Sequence, residues 1–405
     1  MSTPKLRFKE FDRDWAKYKI AEVTEYLVDG THFSPKSTEG EFKYVTSKNI
    51  RNDGLDLSNI SYISKEEHEA IYKRCKVKFG DILLTKDGAN TGNCCLNTLD
   101  EEFSLLSSVA VIRGKKGNFD NKFLMQIFQS DLGQNTIISS MSGQAITRIT
   151  LTKLKDYSFN FPEFEEQTKI ASFLSAVDEK ISQLNQKHAL LSQYKQGMMQ
   201  KLFSQQIRFK ADDGSEFGEW EKKELKTISQ IYDGTHQTPN YVEEGVPFYS
   251  VEHVTANNFT KTKFIAEDVY LAELKRVKLE KGDILLTRIG DIGTSRLIDW
   301  EVRASFYVSL ALIKVKEKHS SSFVNQYIKS PFFQRELHER TIHVAFPKKI
   351  NLGEIGLCVI KVPCLKEQIK IANFLSAIDQ KIEVVAQQIE QAKTWKKGLL
   401  QQMFV

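Results

Sequence analysis

The sequence predicts an α+β protein: two tandemly repeated, mixed, strand-rich domains separated by two long helices that form an antiparallel coiled coil, the whole pseudo-twofold symmetric. Three observations carry this. The 405-residue chain is similar to itself at an offset of about 201, as in Glu166 against Glu367. Short β-branched and aromatic runs among Gly, Asn and Asp breakers fill most of each repeat. Each repeat then ends in a proline-free stretch whose apolar residues are spaced alternately by four and three.

The repeat preserves order along its whole length. Leu6-Arg7-Phe8-Lys9 returns as Ile207-Arg208-Phe209-Lys210, Trp15 as Trp220, and Asp29-Gly30-Thr31-His32 as Asp233-Gly234-Thr235-His236. Gly80-Asp81-Ile82-Leu83-Leu84-Thr85-Lys86 returns as Gly282-Asp283-Ile284-Leu285-Leu286-Thr287-Arg288. Between Glu166–Ile181 and Glu367–Ile382, 12 of 16 positions coincide. The expected division is therefore 1–165 (mixed domain), 166–204 (helix), 205–365 (mixed domain) and 366–405 (helix). Runs such as Lys43-Tyr44-Val45-Thr46, Val109-Ala110-Val111-Ile112, Phe248-Tyr249-Ser250-Val251 and Leu310-Ala311-Leu312-Ile313 are the candidate strands.

In the first helix the seam is Ile170, Leu174, Val177, Ile181, Leu184, His188, Leu191, Lys195, Met198, Leu202. In the second it is Ile371, Leu375, Ile378, Ile382, Val385, Ile389, Ala392, Lys396, Leu399, Met403. Five heptads of 3.5-residue spacing hold one face toward a partner helix, although two amphipathic core helices would give a similar pattern. Glu165, Glu166 and Glu367 sit where carboxylates favour the positive end of a helix dipole. Lys195 and Lys396 fall on the seam, where their stems can pack while the ammonium reaches water. Gly197 and Gly398, costly in mid-helix, imply close approach of another backbone. About 38 residues at 1.5 Å each give ~57 Å. A second helix pairing with the first must run back along it, placing the mixed domains at opposite ends.

Composition narrows the function classes. With 41% hydrophobic and 27% charged residues the chain folds, and no apolar run reaches the ~18 residues of a membrane span, so a cytoplasmic location is expected. The five cysteines include no C-x-x-C pair, and no histidines stand at i, i+4 beside a carboxylate, so neither zinc nor a disulfide framework is indicated. A net charge of +5 permits nucleic-acid binding without requiring it. There is no Asn-Pro-Pro-aromatic motif, phosphate-binding loop or G-x-G-x-x-G. Gly80-Asp81 and Gly282-Asp283 read as a turn and strand start rather than as metal-binding carboxylates.

The stretches Glu166-Gln167…Lys169-Ile170-Ala171…Phe173-Leu174-Ser175…Asp178…Lys180-Ile181 and Lys195…Gly197-Met198-Met199-Gln200…Leu202-Phe203 occur in both repeats. With the Asp-Gly-Thr-His, Gly-Asp-Ile-Leu-Leu-Thr and Leu-Arg-Phe…Trp pieces, they resemble the specificity subunits of type I restriction-modification enzymes over essentially the whole chain. Pro162-Glu163-Phe164 and Pro363-Cys364-Leu365 depart from that family's proline-rich approach to each helix. The resemblance implies a non-catalytic reader of a bipartite target in double-stranded DNA. Two target-recognition domains would be spaced by the helices, with two methyltransferase and two restriction subunits bound around them. S-adenosylmethionine, ATP and Mg2+ would then belong to the partners and no cofactor to this chain. The readings kept beside it are the DNA-reading subunit of another multisubunit restriction-modification system, a structural coiled-coil adaptor, and an enzyme with an unfamiliar site.

Candidate DNA contacts are short polar side chains and Arg or Lys on breaker-rich loops, since Asn and Gln pair bidentately with adenine and Arg with guanine. In the first domain these are Thr31 and His32; Lys86, Asn90, Thr91 and Asn93; and Ser142, Gln144, Thr147 and Arg148. In the second they are Thr235 and His236; Arg288, Thr294, Ser295 and Arg296; and His343, Lys348 and Lys349. The shared Thr-His pairs could equally hold a turn or meet phosphate. Residues that differ between repeats, such as Gln144 against Val344 and Asn90 against Ile292, are the better sequence readers. Lys115-Lys116 and Lys348-Lys349 suit phosphate contacts or solvated surface.

Overall fold

The computed structural model describes residues 3–37, 39–141 and 148–405. It divides into two units: Met1–Gln186 with Ala386–Val405, and Lys187–Val385. Each long helix, Phe164–Phe203 and Leu365–Met403, contributes one segment to each unit.

The first unit is built on an antiparallel sheet whose spatial order is Thr24–Asp29, Val109–Gly114, Ile82–Thr85, Cys94–Leu96. Successive residues of a strand face opposite sides. Here both sides are buried, so the apolar residues run on without alternating. Ile82, Leu84, Ala110 and Ile112 face a core with Phe123, Leu124 and Phe128. Leu83, Val109 and Val111 face a second core with Val45, Ile50, Phe103 and Leu105. A smaller sheet joins Ser61–Ile63, Phe42–Val45 and Ser104–Leu105, the last pair parallel. Ala16–Lys19 pairs with Ser158–Phe161 just before the long helix begins. Helices Asn121–Gln129 and Asp131–Ser140 start on the side-chain caps of Asp120 and Ser130.

The second unit repeats this plan. Its main sheet runs Ser229–Asp233, Leu310–Val315, Ile284–Ile289, Asp291–Leu297, and Glu221–Glu224 pairs with Val359–Val362. Its smaller sheet places Val246–Tyr249 parallel to Ser305–Phe306.

The repeated Glu-Gln…Asp spacing of the long helices becomes intelligible inside each unit. Glu166 is 2% exposed and receives Nε and Nη2 of Arg7, both at 2.7 Å; Glu367, fully buried, receives Arg208 at 3.0 and 2.7 Å and Trp220 Nε1 at 3.1 Å. Gln167 accepts from Asp120 N and donates to the Pro162 carbonyl, and Gln368 repeats this with Ser320 N and Pro363. Asp178 accepts from Gln126 and pairs with Lys396 at 2.6 Å; Asp379 accepts from Gln326 and pairs with Lys195 at 2.7 Å. The two seam lysines thus end on carboxylates, where the sequence reading sent them to water.

Within the first unit Ile170, Leu174, Val177 and Ile181 share the helix-side core with Leu399, Met403 and Phe404. Within the second, Met199, Leu202 and Phe203 share a core with Ile371, Leu375 and Ile378. Met199 is buried in that core, and Met198, which the expected seam includes, is half-buried. Gly197 and Gly398 also differ from expectation: a Cβ at Gly197 would meet nothing within 4 Å, and one at Gly398 only Gln402 Nε2 at 4.0 Å. Among the described residues no other backbone comes within 4 Å of a Cβ placed at either glycine. Gly80 and Gly282, at φ of 81° and 94°, make the expected turns. The aspartates beside them are held by Arg113 (2.6 and 2.7 Å from Asp81) and Lys314 (2.7 Å from Asp283). Among the described residues no helix is long and apolar enough to cross a membrane.

Candidate nucleic-acid interface

In each unit the Asp-Gly-Thr-His turn leaves the end of the first sheet strand. Its threonine is internal: Thr31 is 5% exposed, with its N–H on the Leu105 carbonyl at 2.8 Å, and Thr235 is 7% exposed, with its N–H on Phe306 at 3.1 Å. The glycine is required because a Cβ at Gly30 or Gly234 would lie about 2 Å from those same carbonyls. Both threonines therefore hold the turn, and the histidines are its exposed residues.

His32 lies 3.4 Å from Asp29 and 3.5 Å from the Arg74 guanidinium, which itself pairs with Asp29 at 3.1 Å. His236, Asp233 and Arg276 repeat the cluster, with His236 2.7 Å from Asp233 and 3.4 Å from Arg276. Arg74 and Arg276 escaped the sequence reading because they stand some forty residues along the chain from the turns they serve. Their only signal was the repeated Lys73-Arg74 and Lys275-Arg276 pair.

The loop from Lys86 to Asn93 joins two sheet strands beside this cluster. Lys86 is 3% exposed and pairs with Asp29 at 3.3 Å and Asp87 at 3.5 Å, so its ammonium is engaged inside the unit. Asn90 and Asn93 point their amides at the Ser47 and Ile50 carbonyls at 3.5 and 3.4 Å, and Thr91 Oγ1 donates to Gly88 at 2.6 Å. Arg148 is exposed and forms a β-bridge through its backbone with Asp87. Turn, loop and Arg148 therefore form one patch; Ser142, Gln144 and Thr147 lie outside the described residues.

The second unit assembles its patch differently. Arg288 is 9% exposed and spends its guanidinium on the Ile350 and Val308 carbonyls at 3.2 and 2.6 Å; burial pulls its pKa down. The hairpin continues to Gly290, at φ 83°, and the segment 342–349 docks there: Gly290 N donates to Lys348 O, and Ile342 and Ile289 bridge to Lys349. His343, Lys348 and Lys349 are exposed on this segment. Thr294, Ser295 and Arg296 are set apart from it. They line a cleft of ≈ 930 Å³ with Lys329 and Asp379, Ser295 buried against Asn325 at 2.9 Å and Arg296 over the Trp300 ring at 5.6 Å.

Both units thus present exposed guanidinium and imidazole groups, and the second adds the Lys348 and Lys349 ammonium groups, on loops held by internal hydrogen bonds. Such groups suit phosphate oxygens and base edges.

Comparison with known proteins gives the same frame. The family model described as type I restriction modification DNA specificity domain matches twice, at residues 12–193 and 218–394. The specificity subunit of type I restriction enzyme MjaVIII from Methanocaldococcus jannaschii is 27% identical, over 96% of this chain and 91% of its own. That of EcoKI from Escherichia coli K12 is 20% identical, over 96% and 87%. Among solved structures, the type I restriction-modification S subunit from M. genitalium superposes with a TM-score of 0.65 at 21% identity, covering 100% of this chain and 99% of that one. Two matched domains in tandem, and relatives aligned nearly end to end, show that this chain belongs to the type I restriction-modification DNA-specificity family.

Proposed function

We propose that this chain is the cytoplasmic, non-catalytic DNA-reading subunit of a type I restriction-modification complex, recognising a bipartite target with one half-site for each unit. The observation that carries it is the duplicated, exposed Asp-His-Arg cluster beside loops that differ between the units. Shared groups supply shared backbone contacts, and differing loops supply different sequences. In the first unit the accessible candidates are His32, Arg74 and Arg148; in the second, His236, Arg276, Lys348 and Lys349. Two methyltransferase and two restriction subunits would assemble around the chain, because a duplicated surface offers two equivalent docking sites. S-adenosylmethionine, ATP and Mg2+ would act on those partners.

The long helices are proposed to pair antiparallel about a pseudo-twofold axis. The reciprocal pairs Asp178–Lys396 and Asp379–Lys195, each inside its own unit, support this. A structural adaptor would leave the duplicated clusters without purpose.

Exchange of residues 1–165 for the equivalent part of another family member tests the reading, with N6-methyladenine mapped by single-molecule sequencing. One half of the target changes and the other stays. A target altered in both halves, or in neither, overturns it.

A further inference from the structure

The segment between Ile342 and Lys349 carries the most exposed large apolar residues of the described chain: Val344 is 97% and Phe346 104% exposed. Isolated apolar side chains are ordinary on a surface, but a phenyl ring with no neighbour on any side is not a packing residue. The segment is nevertheless rooted. Ile342 N donates to Lys349 O at 2.8 Å, Gly290 N to Lys348 O at 2.8 Å, and Ile350 N to Arg288 O at 3.0 Å, while a His343 ring nitrogen meets the His338 carbonyl at 2.8 Å. Firm hydrogen bonds at the base thus present an apolar tip, and Lys348 and Lys349 stand exposed directly after Pro347.

An occupant must offer an apolar slot flanked by negative charge. A stacked duplex does, because base planes are apolar and phosphates run along both strands. An apolar protein groove would take the ring but gives no reason for two adjacent ammonium groups.

We propose that Phe346 is a wedge that enters the base stack at or beside the second unit's half-site, with Lys348 and Lys349 on the adjoining phosphates. Apolar side chains inserted at a base step unstack it and kink the duplex, and the deformability of that step then contributes to selectivity without a base-edge hydrogen bond. This rests on the DNA-reading function proposed above. It also accounts for Val344 standing where the first repeat has Gln144: the second unit reads partly by shape.

The test uses the full chain bound to its methyltransferase subunit. Its duplexes carry the mapped target with 2-aminopurine placed in turn at each purine of the second half-site and its flanks, except the methylated adenine. Wild-type complex brightens the probe at one step. Phe346→Ala abolishes that signal and weakens target binding by about tenfold, the weight of one lost stacking contact, with an unchanged salt slope. Phe346→Trp keeps the signal. Lys348→Ala keeps it too, but lowers the salt slope by about one. Because Phe346 is fully exposed among the described residues, its loss leaves thermal stability unchanged. A wild-type complex with no brightened step, or Phe346→Ala retaining both signal and affinity, overturns the wedge. Loss of the methyltransferase subunit from Phe346→Ala reassigns the tip to a protein contact and overturns it as well. Failure of wild type to prefer its target over a scrambled duplex removes the DNA-reading function itself, a different result from any of these.

Discussion

Glu367 is the residue on which the second unit's construction converges, since it is fully buried and takes three donors from Arg208 and Trp220. Removing one partner of a buried pair leaves an uncompensated charge, which costs more than the pair contributes. Arg208→Met is therefore expected to destabilise the unit by about 3 kcal/mol, and Arg208→Met with Glu367→Met to recover most of it. Urea denaturation followed by tryptophan fluorescence measures both; equal losses in the single and double variants would contradict the account. Lys329 makes a second prediction. Burial first, then the nearby Lys195 charge, lower its pKa from 10.5 to about 8. The unfolded chain therefore binds more protons than the folded one between about pH 8 and 10.5, and stability rises with pH through that window. Lys329→Gln, which copies Gln129 of the first unit, should gain about 1–3 kcal/mol at pH 7 and flatten the rise. Unfolding at pH 7 and pH 9.5 separates the two chains, and parallel profiles would exclude the lysine as the source. The residue scale is also where sequence reasoning saw least. Arg7 and Glu166 were both conspicuous, but their pairing spans 159 residues and only the fold creates it. Thr31 and Lys86 read locally as polar loop residues, and nothing in their neighbours in sequence reveals that the turn closes over the one and Asp29 over the other.

At the scale of elements the long helices were legible because their apolar period persists for ten turns, far beyond any competing pattern. The sheet strands were legible only as runs: with both faces buried, Ile82–Thr85 and Ile284–Ile289 show no alternation to set their register. Two-residue strands such as Ser104–Leu105 and Ser305–Phe306 exist only through their parallel partners and carry no sequence mark. The helix glycines show the opposite error, a local signal read as tertiary. Since among the described residues a Cβ at Gly197 would meet nothing within 4 Å and one at Gly398 only Gln402 Nε2 at 4.0 Å, their cost in backbone freedom is uncompensated by packing. Gly197→Ala and Gly398→Ala should each stabilise the protein by about 0.5–1 kcal/mol, as for an exposed helix interior. A higher thermal midpoint for the free chain confirms this. A higher midpoint accompanied by lost binding of the methyltransferase subunit would show that the gap left by each glycine is filled by the partner.

For the whole molecule the decisive proposal is that the helices set the distance between half-sites. Phe164–Phe203 has 40 residues, about 60 Å at 1.5 Å per residue, which corresponds to about 18 base pairs of B-form rise. The unit boundary falls at Gln186/Lys187 in the first helix and Val385/Ala386 in the second, so a change there leaves both domain cores intact. Inserting four residues after Leu184 adds about 6 Å with only ~40° of net rotation, and a matching insertion after Val385 keeps an antiparallel seam in register. The expected outcome is a methylated target whose two half-sites are unchanged in sequence and whose spacer is longer by about two base pairs. An insertion in one helix alone shifts one seam against the other, so it should lower stability and blur the spacing rather than move it. Methylation mapping of the single and double insertions separates these cases. A double insertion that keeps the original spacer with undiminished preference would place the control of spacing in the domains or the partner subunits, and the helices would then serve only as the scaffold on which each core is completed.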